Sequence, residues 1–315
     1  MPFARRAFLS LMDNTIYDSI IIGGGPSGMT AALYLLRAGK KPLIIEKEAF
    51  GGQIAESPKL ENFPSVKSIS GLDFSSQLFD QITELGAEFE LEEVESVVKE
   101  GDVFKVTSNY GDHFGKTVII AAGCKHRKLG LPNEDKLTGK GISYCAVCDG
   151  AFYNGKEVLL IGDANTAVQY AILLAETCKK VTVATLFDRF FADPILVEKL
   201  LQLKNVEIFH NLNAVELQGE GELTGVRFED TKTKEEVVIK CDGCFIAIGQ
   251  VPANDNYAEL VDLQKGFILT DDTMATKTPG LYAAGDCRVK GMRQVITATS
   301  DGAIAAMSAV NYLNK

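Results

Sequence analysis

No apolar run in this 315-residue chain approaches the roughly 18 residues that a membrane-spanning helix needs, so no membrane association is expected. The segment "ARRAFLSLM" is too short for a secretory h-region despite Arg5 and Arg6, which points to the cytoplasm. Positive charge is also scarce. Lys and Arg total 32 against 42 Asp and Glu, and the net charge of -10 disfavours nonspecific nucleic-acid binding. The three histidines, His113, His126 and His210, form no ligand cluster in sequence and none adjoins a cysteine, so Cys-His nucleophilic catalysis gains no support. Seven cysteines in a chain of this size do not make a small-domain disulfide framework. In a reducing compartment a close cysteine pair points to catalysis or metal binding.

The composition is otherwise ordinary, with 46% hydrophobic residues and 29 glycines, and the length suits about two domains. The stretch "YDSIIIGGGPSGMTAALYLLRAGKKPLIIEKE" reads as an apolar strand, a glycine turn, an amphipathic helix and a second apolar strand ending in Glu46. Gly23, Gly25 and Gly28 give the spacing for a tight turn, close approach to a pyrophosphate and close packing of helix on strand. Glu46 stands about 20 residues on, where an acid can bind a ribose hydroxyl. A second copy follows in "KEVLLIGDANTAVQYAILLAETCKKVTVATLFDRFF" and aligns without a gap, Gly23 on Gly162 and Glu46 on Thr185. Its chemistry is gone: Ala164 and Ala167 replace the second and third glycines, Asp163 puts a carboxylate in the turn, and Thr185 replaces the acid. The second copy therefore reads as a packed scaffold whose nucleotide site does not work.

Two Cys-x-x-Cys pairs stand out. In "SYCAVCDGAF", Cys145 and Cys148 have the spacing of an easily exchanged disulfide, and Asp149 places a proton donor beside the second sulfur. In "CDGC", Cys241 and Cys244 precede an apolar strand and read as small buried residues. Together the four sulfurs are enough for tetrahedral zinc, and a second redox pair at Cys241 and Cys244 ranks above that, but the redox reading of Cys145 and Cys148 is preferred and no metal is expected. Cys124, Cys178 and Cys287 read as buried thiols.

Several motifs occur in an order that resembles the low-molecular-weight flavin thioredoxin reductases over nearly the whole chain after Asp18. They are "GGGPSG", "FGGQI", "ENFP", "AAGCKHRKLGLPNE", "CAVCDG", the second βαβ, "FIAIGQVPAN", "GLYAAGDCR" and "RQVITATSDGAIAA". The resemblance implies an α/β fold with two Rossmann-like dinucleotide-binding domains of the FAD/NAD(P) type, the second inserted into the first. The FAD domain would comprise 1–123 and 249–315, and the redox domain 124–248. FAD contacts would come from Gly23, Gly25, Pro26, Ser27, Gly28, Glu46, Gly52, Gln53, Asn62, Gly285, Asp286, Arg293, Gln294 and Val295. Asp286 suits polyol hydroxyls, and the helix opened by "RQVITA" presents amides to negative charge. By the same resemblance Cys148 faces the flavin, Cys145 attacks the disulfide of a thioredoxin-like protein, Asp149 protonates the leaving thiolate, and the chain forms a homodimer.

The chain departs from that family where NADPH would bind. A His-Arg-Arg-x-x-x-Arg cluster is replaced by Thr185, Leu186, Phe187 and Phe191, with Arg189 alone nearby. This resembles the branch that has lost the pyridine-nucleotide site and takes electrons from ferredoxin. A related branch carries a second flavin, on which Phe187, Phe190 or Phe191 could stack. The basic run Lys125, His126, Arg127 and Lys128 could meet an acidic ferredoxin, but a solvated hinge is the more ordinary explanation.

Overall fold

The computed structural model describes residues 15–57 and 60–315, so the "ARRAFLSLM" segment lies outside the described residues. The chain forms two compact units. One comprises the described residues up to Cys124 together with Pro252–Lys315, and the other is Lys125–Val251.

The first unit opens with β1 (Ile16–Ile22), α1 (Pro26–Arg37) and β2 (Pro42–Glu46). The β1 run is apolar without alternation because both sheet faces are covered: Ile20 and Ile22 join one core cluster and Ile21 the other. Burying each such side chain contributes roughly 1.5–3 kcal/mol. Pro26 starts α1 with its fixed φ, and the helix ends at Ala38, where Gly39 turns with φ +70° and Lys40 donates back to the Leu35 carbonyl at 3.0 Å. Next come α2 (Gly71–Glu84), β3 (Glu88–Leu91), β4 (Val94–Glu100), β5 (Val103–Ser108) and β6 (Asp112–Ile120). The strand order is β3-β2-β1-β6-β5-β4. β6 pairs antiparallel with β5 over its first residues and runs parallel to β1.

In the second unit, β7 (Ile142–Ser143) leads into the single turn α3 (Ala146–Asp149). The second βαβ follows as β8 (Glu157–Ile161), α4 (Asn165–Ala175) and β9 (Lys180–Ala184). Then come β10 (Val206–Phe209), the antiparallel β11 (Leu212–Gln218), β12 (Gly225–Asp230) and β13 (Glu236–Lys240), and β14 (Gly243–Ile246). The parallel sheet runs β10-β9-β8-β14-β7.

Back in the first unit, β15 (Leu281–Ala283) adds parallel to β6, and α5 (Val295–Leu313) packs its buried Ala305, Ala306 and Ala309 in the same cluster as Met29 and Leu35 of α1. The approach is close: a Cβ on Gly302 would lie 2.1 Å from the Ser27 carbonyl oxygen. Both units thus have a Rossmann-like α/β form, with the long helices on one face of the parallel sheet and antiparallel strands against the other. Among the described residues no helix is long and apolar enough to cross a membrane.

Gly302 lies mid-helix, where replacement by alanine ordinarily stabilises by about 1 kcal/mol. Because its missing Cβ is what admits the Ser27 carbonyl, Gly302→Ala should instead destabilise by about 1–3 kcal/mol in thermal or urea unfolding. A gain in stability would show that the two helices part without cost.

Candidate functional site

In the first unit the glycine turn joins β1 to α1. Gly23 has φ +111°, and a Cβ on Gly28 would fall 1.9 Å from the Gly23 carbonyl oxygen, so the third glycine is needed for the helix to meet the turn. Gly25 caps α1 with no side chain in the way and open space where a Cβ would stand. Glu46 ends β2 and accepts the Gly24 N–H at 2.6 Å and the Glu48 N–H at 2.9 Å, which fixes its carboxylate at the rim of the turn. Gly52, with φ +57°, begins a 3-10 turn, and the Gln53 amide donates to the Cys124 carbonyl.

The C-terminal segment brings residues some 260 positions away to the same unit. A Cβ on Gly285 would stand 2.9 Å from that of Ser27, which brings Asp286 to the start of α1. Arg293 donates to the Asp286 carbonyl at 3.2 Å and the Arg288 carbonyl at 3.1 Å, and its guanidinium stacks 4.1 Å from the Phe267 ring centroid. Gln294 caps α5 in a reciprocal box with Thr297 and accepts from the Asn62 amide at 3.0 Å, leaving Val295 as the first helical residue.

These residues fit FAD on one observation. Ser27 Oγ and Asp286 Oδ1 are buried polar atoms that have no hydrogen-bond partner. Both lie at the glycine turn, whose helix N-terminus carries no side-chain cap. Such atoms await a ligand rich in hydroxyl and phosphate oxygens. Burial pushes the Asp286 carboxyl up, against the opposing charges of Lys290 and Arg293.

Two residues supporting this turn escaped sequence reasoning. Asn254 donates to the Gly266 carbonyl at 2.9 Å and the Cys287 carbonyl at 2.8 Å. Asp301 accepts from Gly285 N–H at 3.1 Å, Arg288 Nε at 2.8 Å and Lys290 Nζ at 2.7 Å. A lone acid in the otherwise apolar "TSDGAIAA" was a signal for Asp301; nothing local marked Asn254.

In the second unit, Cys145 and Cys148 form a disulfide with Cα atoms 5.3 Å apart. Cys145 caps α3, its Sγ accepting the Cys148 N–H at 3.2 Å. Ser143 Oγ donates to Asp149 Oδ2 at 2.6 Å and accepts the Cys145 N–H at 3.0 Å. Asp149 Oδ1 is buried without a partner, and burial pushes this carboxyl up against the lowering effect of the Ser143 bond. The intervening Tyr144 donates to Glu134 at 2.7 Å and stacks on His126. The buried Glu134 also accepts the N–H groups of Leu129, Gly130 and Leu131. Ser143, Tyr144 and Glu134 are further residues that the sequence did not single out.

The basic run beside this loop is weaker as a patch than its residues suggest. Burial pushes the His126 imidazole down, favouring its neutral form, and Lys128 pairs with Asp135 at 2.6 Å. Cys241 and Cys244 are buried free thiols, with Cys241 pushed up to about 12 by burial. Among the described residues no group of three or more His, Cys, Asp or Glu is arranged for a metal ion.

The second βαβ keeps the backbone of the first turn without its openings. Ala164 caps α4 with ψ -179°, as Gly25 caps α1 with ψ -178°. Asp163 accepts the Phe191 N–H through its carbonyl at 2.7 Å, and Asn165 and Asp193 exchange hydrogen bonds of 2.7 and 3.0 Å. Thr185 is buried and donates to the Phe187 carbonyl at 2.7 Å, with His210 Nδ1 also 2.7 Å away. Phe187 and Phe191 are about half exposed and meet edge to face at 5.3 Å, and the Arg189 guanidinium stacks on Phe191. Phe190 turns inward against His210.

The Asp301 cluster yields a prediction. Burial raises its pKa, but the bonds from Arg288 and Lys290 prevail and hold it below the usual value. A depressed folded pKa contributes stability above the unfolded value and loses it as pH falls through the folded one. Asp301→Asn should cost about 3–5 kcal/mol at neutral pH by leaving two buried cations unpaired, and the difference from wild type should shrink in acid. Chemical denaturation across pH checks both parts.

The pyridine nucleotide-disulphide oxidoreductase family matches residues 17–302. A thioredoxin reductase of Bacillus subtilis (strain 168) is 39% identical over 97% of this chain and 97% of its own length. One of Treponema pallidum (strain Nichols) is 38% identical over 95% and 98%. The crystal structure of the thioredoxin reductase from Streptococcus pyogenes MGAS5005 superposes with a TM-score of 0.91 at 38% identity, covering 96% of this chain and 99% of that one. With a glycine turn shaped for a flavin dinucleotide and an exchangeable disulfide beside a buried carboxyl, this chain belongs to the pyridine nucleotide-disulphide oxidoreductases, among their flavin thioredoxin reductases.

Proposed function

We propose that the chain reduces the disulfide of a thioredoxin-like protein through Cys145 and Cys148, drawing electrons from a protein donor, ferredoxin, in place of NADPH. The observation that carries the disulfide chemistry is the Cys145–Cys148 bond with the unpartnered Asp149 carboxyl beside it. When bound by the 1–123 and 249–315 domain, FAD supplies the two-electron store that reduces this disulfide. Gly23, Gly25, Pro26, Ser27 and Gly28 form the turn that takes its pyrophosphate. Glu46 and Asp286 take hydroxyl groups, and Gly52, Gln53, Asn62, Gly285, Arg293, Gln294 and Val295 complete the cradle.

Two electrons break the Cys145–Cys148 bond and, with two protons, leave a dithiol. The Cys145 thiolate then attacks the substrate disulfide, one substrate sulfur leaves with a proton carried by Asp149, and a mixed disulfide remains. Cys148 attacks Cys145 in that mixed disulfide, reforming the enzyme bond and releasing the second substrate sulfur, which takes the other proton. The two electrons and two protons of the dithiol thus end on the substrate.

The donor assignment rests on "TLFDRFF". A ribose phosphate needs charge-assisted contacts worth roughly 1.5–3 kcal/mol each. Here Leu186, Phe187 and Phe191 stand where the resemblance places arginines, and Arg189 is stacked on a ring. Losing several such contacts weakens NADPH by orders of magnitude. A second flavin on the exposed Phe187 and Phe191 is the variant this aromatic pair favours. The whole-chain likeness to thioredoxin reductases favours the other reading, a conventional NADPH enzyme. In either case the working form is a homodimer, as the resemblance implies.

Anaerobic flavin absorbance separates the donors. Reduced ferredoxin should bleach the flavin, oxidised thioredoxin should restore it, and NADPH should act at least a hundredfold more slowly (~2.7 kcal/mol). Fast bleaching by NADPH would overturn the donor assignment. Cys148→Ser should abolish multiple-turnover thioredoxin reduction while sparing flavin content; retained turnover would sink the dithiol mechanism.

A further inference from the structure

The deep end of the redox motif holds a hydroxyl that the disulfide chemistry has not yet used. Ser143 closes the two-residue strand β7, whose partner β14 aligns Phe245 with it, and its side chain is buried. Its Oγ touches three groups of the motif: the Cys145 N–H at 3.0 Å, Asp149 Oδ2 at 2.6 Å and the Cys145 carbonyl at 3.4 Å. A hydroxyl carries one proton and two acceptor lone pairs. With Asp149 ionised, Ser143 donates to Oδ2. With Asp149 protonated, the carboxyl donates to Ser143 Oγ, and the serine proton turns to the Cys145 carbonyl. The Cys145 N–H keeps its acceptor in both states, so the chain of bonds survives a change in the charge of Asp149 without moving a heavy atom.

We propose that Ser143 is the positioning residue for proton delivery in this motif, tying the Asp149 carboxyl to the Cys145 backbone and deciding the pH range over which that carboxyl carries a proton. Two other titratable groups face Asp149. Tyr153, in the 3-10 turn after α3, and Tyr170, on α4, both interact with its charge. Burial first, then the Asp149 charge, pushes both phenols up, Tyr153 to about 12, so both stay neutral while Asp149 titrates. Cys145 and Cys148 do not titrate while joined. In the oxidised protein Ser143 is therefore the donor that favours the ionised form of Asp149, against burial and against an Oδ1 that has no partner. Removing it leaves the charge with neither oxygen satisfied.

This inference rests on the Asp149 role proposed above, and its test is independent of donor and substrate. The carboxylic C=O band of Asp149, identified by its absence from Asp149→Asn, is titrated by difference infrared spectroscopy in the oxidised holoprotein. Ser143→Ala should move the midpoint up by about one pH unit or more, a tenfold or larger change in the protonation equilibrium, while Ser143→Thr, which keeps the hydroxyl, should restore it. Ser143→Gly reads the same effect should the alanine variant lose its flavin. Single-turnover reduction of a small aliphatic disulfide, whose leaving thiolate needs a proton, by the pre-reduced protein should show its high-pH fall displaced in the same direction.

A purely structural serine would lower the rate at every pH and leave the midpoint in place. That result, or a threonine variant displaced as far as alanine, overturns the proposal. Failure of the disulfide-reductase reading itself would appear as absent disulfide turnover in wild type with the infrared displacement intact.

Discussion

Two backbone approaches too close for any side chain govern the first unit. The Gly23 carbonyl faces Gly28 within the turn, and the Ser27 carbonyl faces Gly302 of the C-terminal helix. Together they press the start of α1 between the glycine turn and a helix from the far end of the sequence. The same squeeze sets Gly285 against Ser27, and so brings Asp286 to the N-terminus of α1. A helix N-terminus with free amides and two unpartnered oxygens is assembled from segments that could not find one another through local preference. Asp301 and Asn254 then hold the turn that carries Asp286, one through buried cations and the other through carbonyls.

In the second unit the constraint is electrostatic. A carboxyl removed from water keeps its charge only where hydrogen bonds meet it. Asp149 has one oxygen tied to Ser143 and the other, Oδ1, buried without a partner, so the group is held in place with part of its hydrogen-bonding capacity unmet. The same short loop is gripped from the other side, since Tyr144 reaches the buried Glu134. Glu134 in turn organises Leu129–Leu131 through their amides.

The duplicated βαβ shows one backbone shape carried by two different sets of side chains. Gly25 and Ala164 cap their helices with nearly the same ψ, yet one turn is open and the other is met by Phe191 and the Asn165–Asp193 pair. Beside the second turn Phe187 and Phe191 stand half exposed and meet edge to face.

Much of this is legible in the sequence. Glycine spacing followed by an acid, apolar strands and a Cys-x-x-Cys with an adjoining aspartate are local patterns, so the sequence determined the two βαβ units and the redox pair. The sequence alone could not say which way a side chain turns or what distant segment meets it. Ser143 is only six positions from Asp149, but their bond exists because β7 and the turn of α3 aim both side chains inward. Asp301, Asn254 and Glu134 act through partners chosen by packing, across loops whose closure carries no local signature. Local pattern determined the chemistry available; tertiary packing decided which groups were held, which were left unpartnered, and therefore where that chemistry can occur.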